Sequence, residues 1–286
     1  MSRDVEVALA AVGAGAAIVR AAYGRALSIH AKSGIDFATN ADIEAERAIL
    51  DVITDALPDD AVEGEESGRS GGTATTRRWL VDPLCGTLNF AAQTPLVAVN
   101  VALTDGSRTV AAAVADPIAG EVYWTDGTKA MLRAAGGADV AISPSPGSRL
   151  VDVNCDGPLD RPFLGAQVID AAFRTAFGPR VMSTTLAVAW VAAGRRAGYI
   201  SDGHFVDNVH FAAGIALCRA AGCIVTDLDG AEVGIGGGLI IGADAPTHHQ
   251  LLSIVAPHVD ALAQKSPGDT AASTPRALQR ECFNNT

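Results

Sequence analysis

The sequence has little positive charge. Its 286 residues hold 21 Lys and Arg against 32 Asp and Glu, which gives a formal net charge of -11 at pH 7. A protein that binds nucleic acid needs a basic face for the phosphate backbone, so this balance predicts no nucleic-acid partner. The excess of acid does not by itself indicate a metal site, because most acidic side chains simply cover the surface of a folded protein.

The sequence also lacks a continuous apolar run of the ~20 residues that span a bilayer, so no membrane partner is expected. The apolar stretch 8–19 follows Asp4 and Glu6, where a signal peptide would carry positive charge. This predicts an N-terminal helix rather than a leader. The five cysteines are odd in number and scattered, which predicts reduced thiols in a cytoplasmic protein; they are residues 85, 155, 218, 223 and 282.

Apolar residues make up 49% of the chain, enough for a folded protein with a substantial core. Apolar periodicity predicts helices over 4–30, 42–57, 183–194 and 211–221, and strands over 61–63, 97–103, 110–114, 121–125 and 223–227. Turn-forming residues cluster at 143–148 and predict a boundary between two halves. Residues 67–78 have the composition of a mobile surface loop, and the polar segment 265–286 that of a disordered tail.

The central stretch runs from Trp79 to Phe90. Three apolar residues predict the end of a buried strand, and Asp82-Pro83 then stops it, because proline lacks the N–H that a strand ladder needs. Gly86-Thr87 follows and allows a tight turn in which backbone N–H groups and a hydroxyl converge. A carboxylate, free carbonyls and such a turn at a strand end suit a hard cation together with a phosphate.

Three further motifs accompany this stretch: Gly64-Glu65-Glu66-Ser67, the acidic segment 36–46, and the segment 209–227. In this order and spacing the set resembles the inositol monophosphatase family of magnesium-dependent, lithium-sensitive phosphatases, from about residue 32 to 257. The resemblance implies a layered α/β/α/β fold, with a larger half over 1–145 and a smaller α/β half over 146–264. It also implies a homodimer and a small polyol or sugar phosphate as substrate.

The resemblance also assigns site residues. Glu65, Asp82 and the Leu84 carbonyl would hold one Mg²⁺, Thr87 would orient the attacking water, and the amides of Gly86 and Thr87 would bind phosphate. The remaining expected residues lie at the site edge (Lys32, Asp42 and Glu66) or near substrate hydroxyls (Asp202 or Asp207). Glu65 and Glu66 are expected to continue the strand and to point to its opposite faces, so only one can be a direct ligand.

Two positions depart from the family pattern. Cys85 and His210 stand where the family has the acids that hold its second ion. Magnesium prefers oxygen ligands, and thiolate and imidazole serve it poorly. The sequence therefore predicts a single Mg²⁺. Because both lost acids serve one ion in the family, Cys85 and His210 should lie close together.

Three functions remain open at this point. The first is a weakened Mg²⁺-dependent phosphatase. The second is a fold adapted to other chemistry on a small, natural-product-like metabolite. There Cys85 would be a nucleophile with His210 as its base and a thiol pKa lowered by a helix N-terminus, or Asp82, Cys85 and His210 would bind a softer ion such as Zn²⁺. The third is an inactive binding protein.

Overall fold

The computed structural model describes residues 1–32, 36–72, 76–157, 163–235 and 237–264. The predicted disordered tail, 265–286, lies outside the described residues. Within the described ranges the helices are α1 Arg3–Ala22, α2 Asn40–Ala56, α3 Thr87–Ala91, α4 Ala171–Ala176, α5 Thr185–Ala192, α6 Ala212–Ala221 and α7 Ala245–Gln264.

The strands form three sheets. A small hairpin pairs β1 Ile29–Ala31 with β2 Phe37–Thr39. The main sheet contains β3 Ala61–Gly64, β4 Gly68–Gly71, β5 Arg77–Cys85, β6 Ala98–Asp105, β7 Arg108–Asp116, β8 Glu121–Thr125, β9 Ala130–Arg133 and β10 Asp139–Ala141. The second sheet contains β11 Leu150–Val153, β12 Gly178–Val181, β13 Gly198–Ser201, β14 Ile224–Thr226 and β15 Leu239–Gly242.

The main sheet has the strand order β10-β9-β8-β7-β6-β5-β3-β4, and only β3 and β5 pair in parallel. The two faces of the main sheet contact different helices, as strand β5 shows. Trp79 and Val81 pack against α1 and α2, whereas Leu80 packs toward α5 and α6. Side chains alternate along a strand, so Asp82 lies on the same face as Leu80. Asp82 is therefore directed toward the helices between the two sheets.

Helices and sheets alternate in layers. Helices α1 and α2 cover one face of the main sheet, and α5 and α6 lie between the main sheet and the second sheet. Helix α5 is apolar on all sides, as expected of a helix buried between two sheets. Helix α7 covers the far face of the second sheet, where Leu251 and Val255 are fully buried. The predicted α/β/α/β layering is confirmed, with α7 as a further layer.

The N-terminal helix is shorter than predicted. Helix α1 ends at Ala22, and Gly24 has a φ of 76°, a left-handed conformation that glycine adopts without strain. Strand β1 follows, and its three residues are too few to show the alternation of apolar and polar residues that predicts a strand. In contrast to the sequence prediction, α1 is long and apolar enough to cross a membrane. Here its buried residues pack against β6, β7 and α2, the arrangement of a core helix.

Residues 67–78 are not all loop. Gly68–Gly71 form β4, which pairs antiparallel with β3, and β5 begins at Arg77. The intervening residues 73–75 are outside the described part of the chain.

One hydrophobic cluster contains Leu80 from the first half and Leu186 and Tyr199 from the second. The two predicted halves thus share a core, and the boundary between them stays a prediction.

Candidate active site

A turn after β3 carries the two adjacent acids. The turn is fixed by Glu46 of α2, whose buried carboxylate accepts the backbone N–H groups of Glu66 and Ser67, each at 2.8 Å. Gly64 makes room for that carboxylate, since a Cβ there would lie 2.6 Å from Glu46 Cδ. Because Glu65 and Glu66 lie in a turn and not on a strand, the prediction that they point to opposite faces is wrong.

Both acids accept hydrogen bonds from one lysine. Lys32 Nζ lies 2.9 Å from Glu65 Oε1 and 2.7 Å from Glu66 Oε1. Burial would lower the pKa of Lys32, but its bonds to Glu66 and Glu65 outweigh burial and raise it well above the ordinary value. Burial, and then the charge of Asp82, raise the pKa of Glu65 to about 8. Lys32, which was predicted at the edge of the site, thus contacts both acids directly.

The prediction that Asp82-Pro83 stops the strand is wrong: β5 continues to Cys85, because an irregularity in its pairing with β6, between Asp82 and Cys85, accommodates the proline that lacks an N–H. Asp82 lies at the start of this irregularity. Its carboxylate is fully buried. Oδ1 accepts the backbone N–H of Leu84 at 3.1 Å, and Oδ2 lies 2.8 Å from His210 Nδ1. Burial opposes ionisation of Asp82, but the charge and hydrogen bond of His210 outweigh it and lower the pKa of Asp82.

His210 lies in the turn before α6, and its backbone is held on both sides. Asn208 Oδ1 accepts its N–H at 2.9 Å. Its carbonyl accepts the Thr185 hydroxyl and, at 3.2 Å, the Asn100 side-chain amide. Burial would lower the pKa of His210, but the adjacent Asp82 carboxylate raises it to about 9. Asp82 and His210 therefore form an ion pair at neutral pH.

Cys85 lies close to His210, as predicted: donor atoms of Asp82, Cys85 and His210 all lie within 4.8 Å of one another. The thiol contacts Thr185 rather than the imidazole, accepting the Thr185 N–H at 3.3 Å. Burial, and then the charge of Asp82, raise the pKa of Cys85 well above its ordinary value. The prediction of a thiol activated by a helix N-terminus is therefore wrong for this structure, because burial and the charge of Asp82 outweigh the hydrogen bonds from Thr185 that lower the pKa.

Gly86 and Thr87 make the turn expected after the strand. Gly86 has a φ of 103°, and Thr87 opens the short helix α3. The Thr87 hydroxyl lies 3.0 Å from Asp42 Oδ1 and 3.2 Å from the Leu84 carbonyl, and can donate to either. Asp42 is not the helix cap itself. It is buried at the third position of α2, in a capping box with Thr39. Burial raises the pKa of Asp42, although the hydrogen bonds from Thr39 and Thr87 act to lower it.

These side chains line a cavity of about 370 Å³. Residues of the predicted set at its wall are Glu65, Leu84, Cys85, Gly86, Thr87 and His210; other wall residues include Asp36, Asn154, Asp156 and Ser183. At this wall the Ser183 hydroxyl donates to Asn154 Oδ1 at 2.7 Å.

The structure does not bring Asp202 and Asp207 to this cavity wall. Asp202 accepts the backbone N–H groups of Leu164 and Gly203, at 3.1 and 2.7 Å. Asp207 lies 2.7 Å from Arg78 and lines a different cavity. The aspartates at the wall of the candidate site are instead Asp36 and Asp156.

Sequence reasoning missed three residues of the site: Glu46, Asn100 and Thr185. Asn100 pairs directly with Asp82 across β5 and β6, and its amide reaches Asp82 Oδ2 at 3.3 Å and Thr185 Oγ1 at 3.1 Å. A single asparagine within the apolar run 97–103 was the available signal, because a buried amide in a strand needs partners. Glu46 and Thr185 left no comparable signal.

Comparison with known proteins agrees with this geometry. The model of the inositol monophosphatase family matches residues 1–261. The chain belongs to that family. It is 30% identical over 249 residues to an inositol-1-monophosphatase of Caulobacter vibrioides, covering 79% of this chain and 90% of the relative. It is 31% identical over 239 residues to a protein of Pasteurella multocida named Nus factor SuhB, covering 79% and 85%.

The fold has solved counterparts in the inositol monophosphatase family. The extragenic suppressor protein suhB of Bartonella henselae superposes with a TM-score of 0.77 at 26% identity, covering 89% of this chain and 98% of that one. The family acts on small-molecule phosphates and depends on metal ions. In this chain Glu65 and Asp82 lie 3.8 and 2.8 Å from His210 Nδ1 and offer the carboxylate oxygens that a hard ion prefers. The thiol and imidazole beside Asp82 are poor ligands for a second hard ion.

Proposed function

We propose that this chain is a slow, Mg²⁺-dependent phosphomonoesterase acting on a small polyol or sugar phosphate. The observation that supports it is the Thr87–Asp42 hydrogen bond at the wall of the cavity, 3.0 Å long. A binding protein without chemistry has no need of a hydroxyl backed by a buried carboxylate at this place. The cavity volume of about 370 Å³ suits a small ligand.

The proposed proton path uses residues of this chain. The attacking water gives its proton to Thr87 Oγ1 while the Thr87 hydroxyl proton passes to Asp42, so no charge is left on threonine. Burial of Asp42 favours this, because it raises the affinity of the carboxylate for a proton. The backbone amides of Gly86 and Thr87 would bind the phosphate. Mg²⁺ held by Glu65, Asp82 and the Leu84 carbonyl would polarise the phosphate and acidify water.

Slow turnover follows from the two departures from the family pattern. Cys85 and His210 supply no carboxylate for a second Mg²⁺, which would stabilise the leaving oxygen. Removing one group that stabilises developing charge costs ~2.7–4 kcal/mol, or roughly 10²–10³ in kcat. The alternative of a Cys85 nucleophile is disfavoured, because the thiol is buried and its pKa is raised.

The test is phosphate release from inositol 1-phosphate in Mg²⁺ buffer freed of other divalent metals. Cys85→Asp together with His210→Asp should raise kcat by about 10², and either change alone should do less because the two acids act on one ion. Cys155→Ser, which changes a thiol away from the cavity wall, is the matched control. Fast wild-type hydrolysis that the double variant leaves unchanged contradicts the proposal, and so does a double variant that stays inactive while folded.

Other properties are proposed from the family alone. A homodimer and a cytoplasmic location stay predictions, which size measurement in solution and fractionation of cells would check. The expectation of no nucleic-acid partner, which rests on the net charge of -11, also stays a prediction. A direct binding assay with nucleic acid would check it.

A further inference from the structure

The metal-binding atoms at Asp82, Cys85 and His210 differ from the all-oxygen set of the family pattern. Asp82, Cys85 and His210 offer one oxygen, one sulfur and one nitrogen, all within 4.8 Å of one another. These three donor types together are typical of a Zn²⁺ or Co²⁺ site and not of a magnesium site. Two of the three residues are buried, so an ion bound there would be shielded on most sides from water.

We propose that Asp82, Cys85 and His210 form a binding site for one soft divalent ion of the Zn²⁺ class, and that binding releases to solvent the thiol proton of Cys85 and the imidazolium proton of His210. Bonds of ~2.0–2.3 Å around a tetrahedral ion place neighbouring donors roughly 3.3–3.8 Å apart. Asp82 Oδ2 and His210 Nδ1 are 2.8 Å apart. Binding would therefore open this pair by about 0.5 Å and close a pair near the 4.8 Å limit by about 1 Å.

The surroundings hold each donor in place, as hydrogen bonds around metal ligands do. The Asn100 amide and the Leu84 N–H both donate to Asp82, at 3.3 and 3.1 Å. The Thr185 N–H points at the Cys85 sulfur from 3.3 Å, a bond that a metal-bound thiolate would keep.

The third donor is fixed through its backbone. Asn208 holds the His210 N–H, and Thr185 and Asn100 hold the His210 carbonyl. Three protein donors leave a fourth position. Because Cys85 and His210 both line the cavity, that position opens toward it. Three protein ligands with one open position is the arrangement found in catalytic rather than structural zinc sites.

Cobalt provides the direct test, because a thiolate bound to Co²⁺ gives a sulfur-to-metal charge-transfer band. Full-length protein carrying Cys155→Ser and Cys282→Ser is stripped with a chelator and titrated with Co²⁺. The band should grow to one equivalent, disappear on addition of Zn²⁺, and survive excess Mg²⁺. Cys85→Ser should abolish it, whereas Cys223→Ser, at a buried thiol elsewhere, should leave it unchanged.

Two further variants keep the test decisive if Cys85→Ser folds poorly. His210→Gln should abolish tight binding, and Asn100→Ala should weaken it by ~10–100-fold, the usual cost of losing a hydrogen bond to a metal ligand. Absence of the band in folded protein overturns the proposal, as does a band that persists in Cys85→Ser. The assay does not need hydrolysis, so a cobalt band in a protein that releases no phosphate contradicts only the proposed phosphatase.

Discussion

Replacing Glu46 by alanine should test whether the turn that carries the two site acids is held from α2. The carboxylate accepts two backbone N–H groups at 2.8 Å and is 3% exposed. Leaving a buried donor without a partner costs ~1–3 kcal/mol. The two N–H groups are only partly buried, so water recovers part of that cost, and removing a buried charge returns some more. We expect a net loss of about 2 kcal/mol in the free energy of unfolding.

Urea unfolding measures this loss. With a slope of ~2 kcal/mol per M, the midpoint should fall by about 1 M. Glu44→Ala is the matched control, because Glu44 is an exposed acid on the same helix, and substitutions at such positions usually stay within ~0.5 kcal/mol. Phosphate release should fall further in Glu46→Ala than in Glu44→Ala, since the displaced turn carries Glu65. Equal midpoints for the two variants would refute the reasoning.

Three more predictions concern single residues. Gly64→Ala should destabilise the protein by crowding Glu46, and should cost clearly less in a Glu46→Ala background; additive urea midpoints would contradict the contact. Burial, and then the charge of His249, lower the pKa of His248 below 6.5, so stability present above pH 6.5 should be lost as the pH falls. Urea midpoints at pH 7.5 and 5.5 should differ less in His248→Gln than in the exposed control His30→Gln. Iodoacetamide should modify half-buried Cys155 before Cys85, and mass spectrometry showing the reverse order would contradict the raised pKa of Cys85.

The parts of the site that could be predicted from the sequence are those in which the functional side chains and the turn that positions them lie in one short segment. Asp82, Gly86 and Thr87 are such a set, because Gly86 allows the turn that follows the strand, although β5 runs past the proline to Cys85. Residues that act across the fold were not predictable. Glu46 has the appearance of a solvated acid on an amphipathic helix until β3 is placed against it. Thr185 looks like an ordinary helix residue until α5 is placed against Cys85, a hundred positions away.

The fold shows the same division. The long strands and α2, α5 and α6 follow apolar periodicity and were predicted within a few residues. Strand β4 was mistaken for loop, because Gly68 and Gly71 carry turn composition while its partner β3 supplies the pairing. The direction of the Cys85 pKa shift was also missed. A helix N-terminus is visible in sequence, whereas the desolvation that outweighs it appears only once both sheets are assembled.

The contacts that join Cys85 to Thr185 and Asn100 to His210 run between the two halves of the chain. A chimera that takes residues 1–145 from this protein and the remainder from a relative with acids at both ligand positions would combine a thiol with an aspartate. Neither the oxygen-rich nor the sulfur–nitrogen donor set would then be complete. A substitution in one half therefore alters the donors that the other half contributes to, and the two halves form one site.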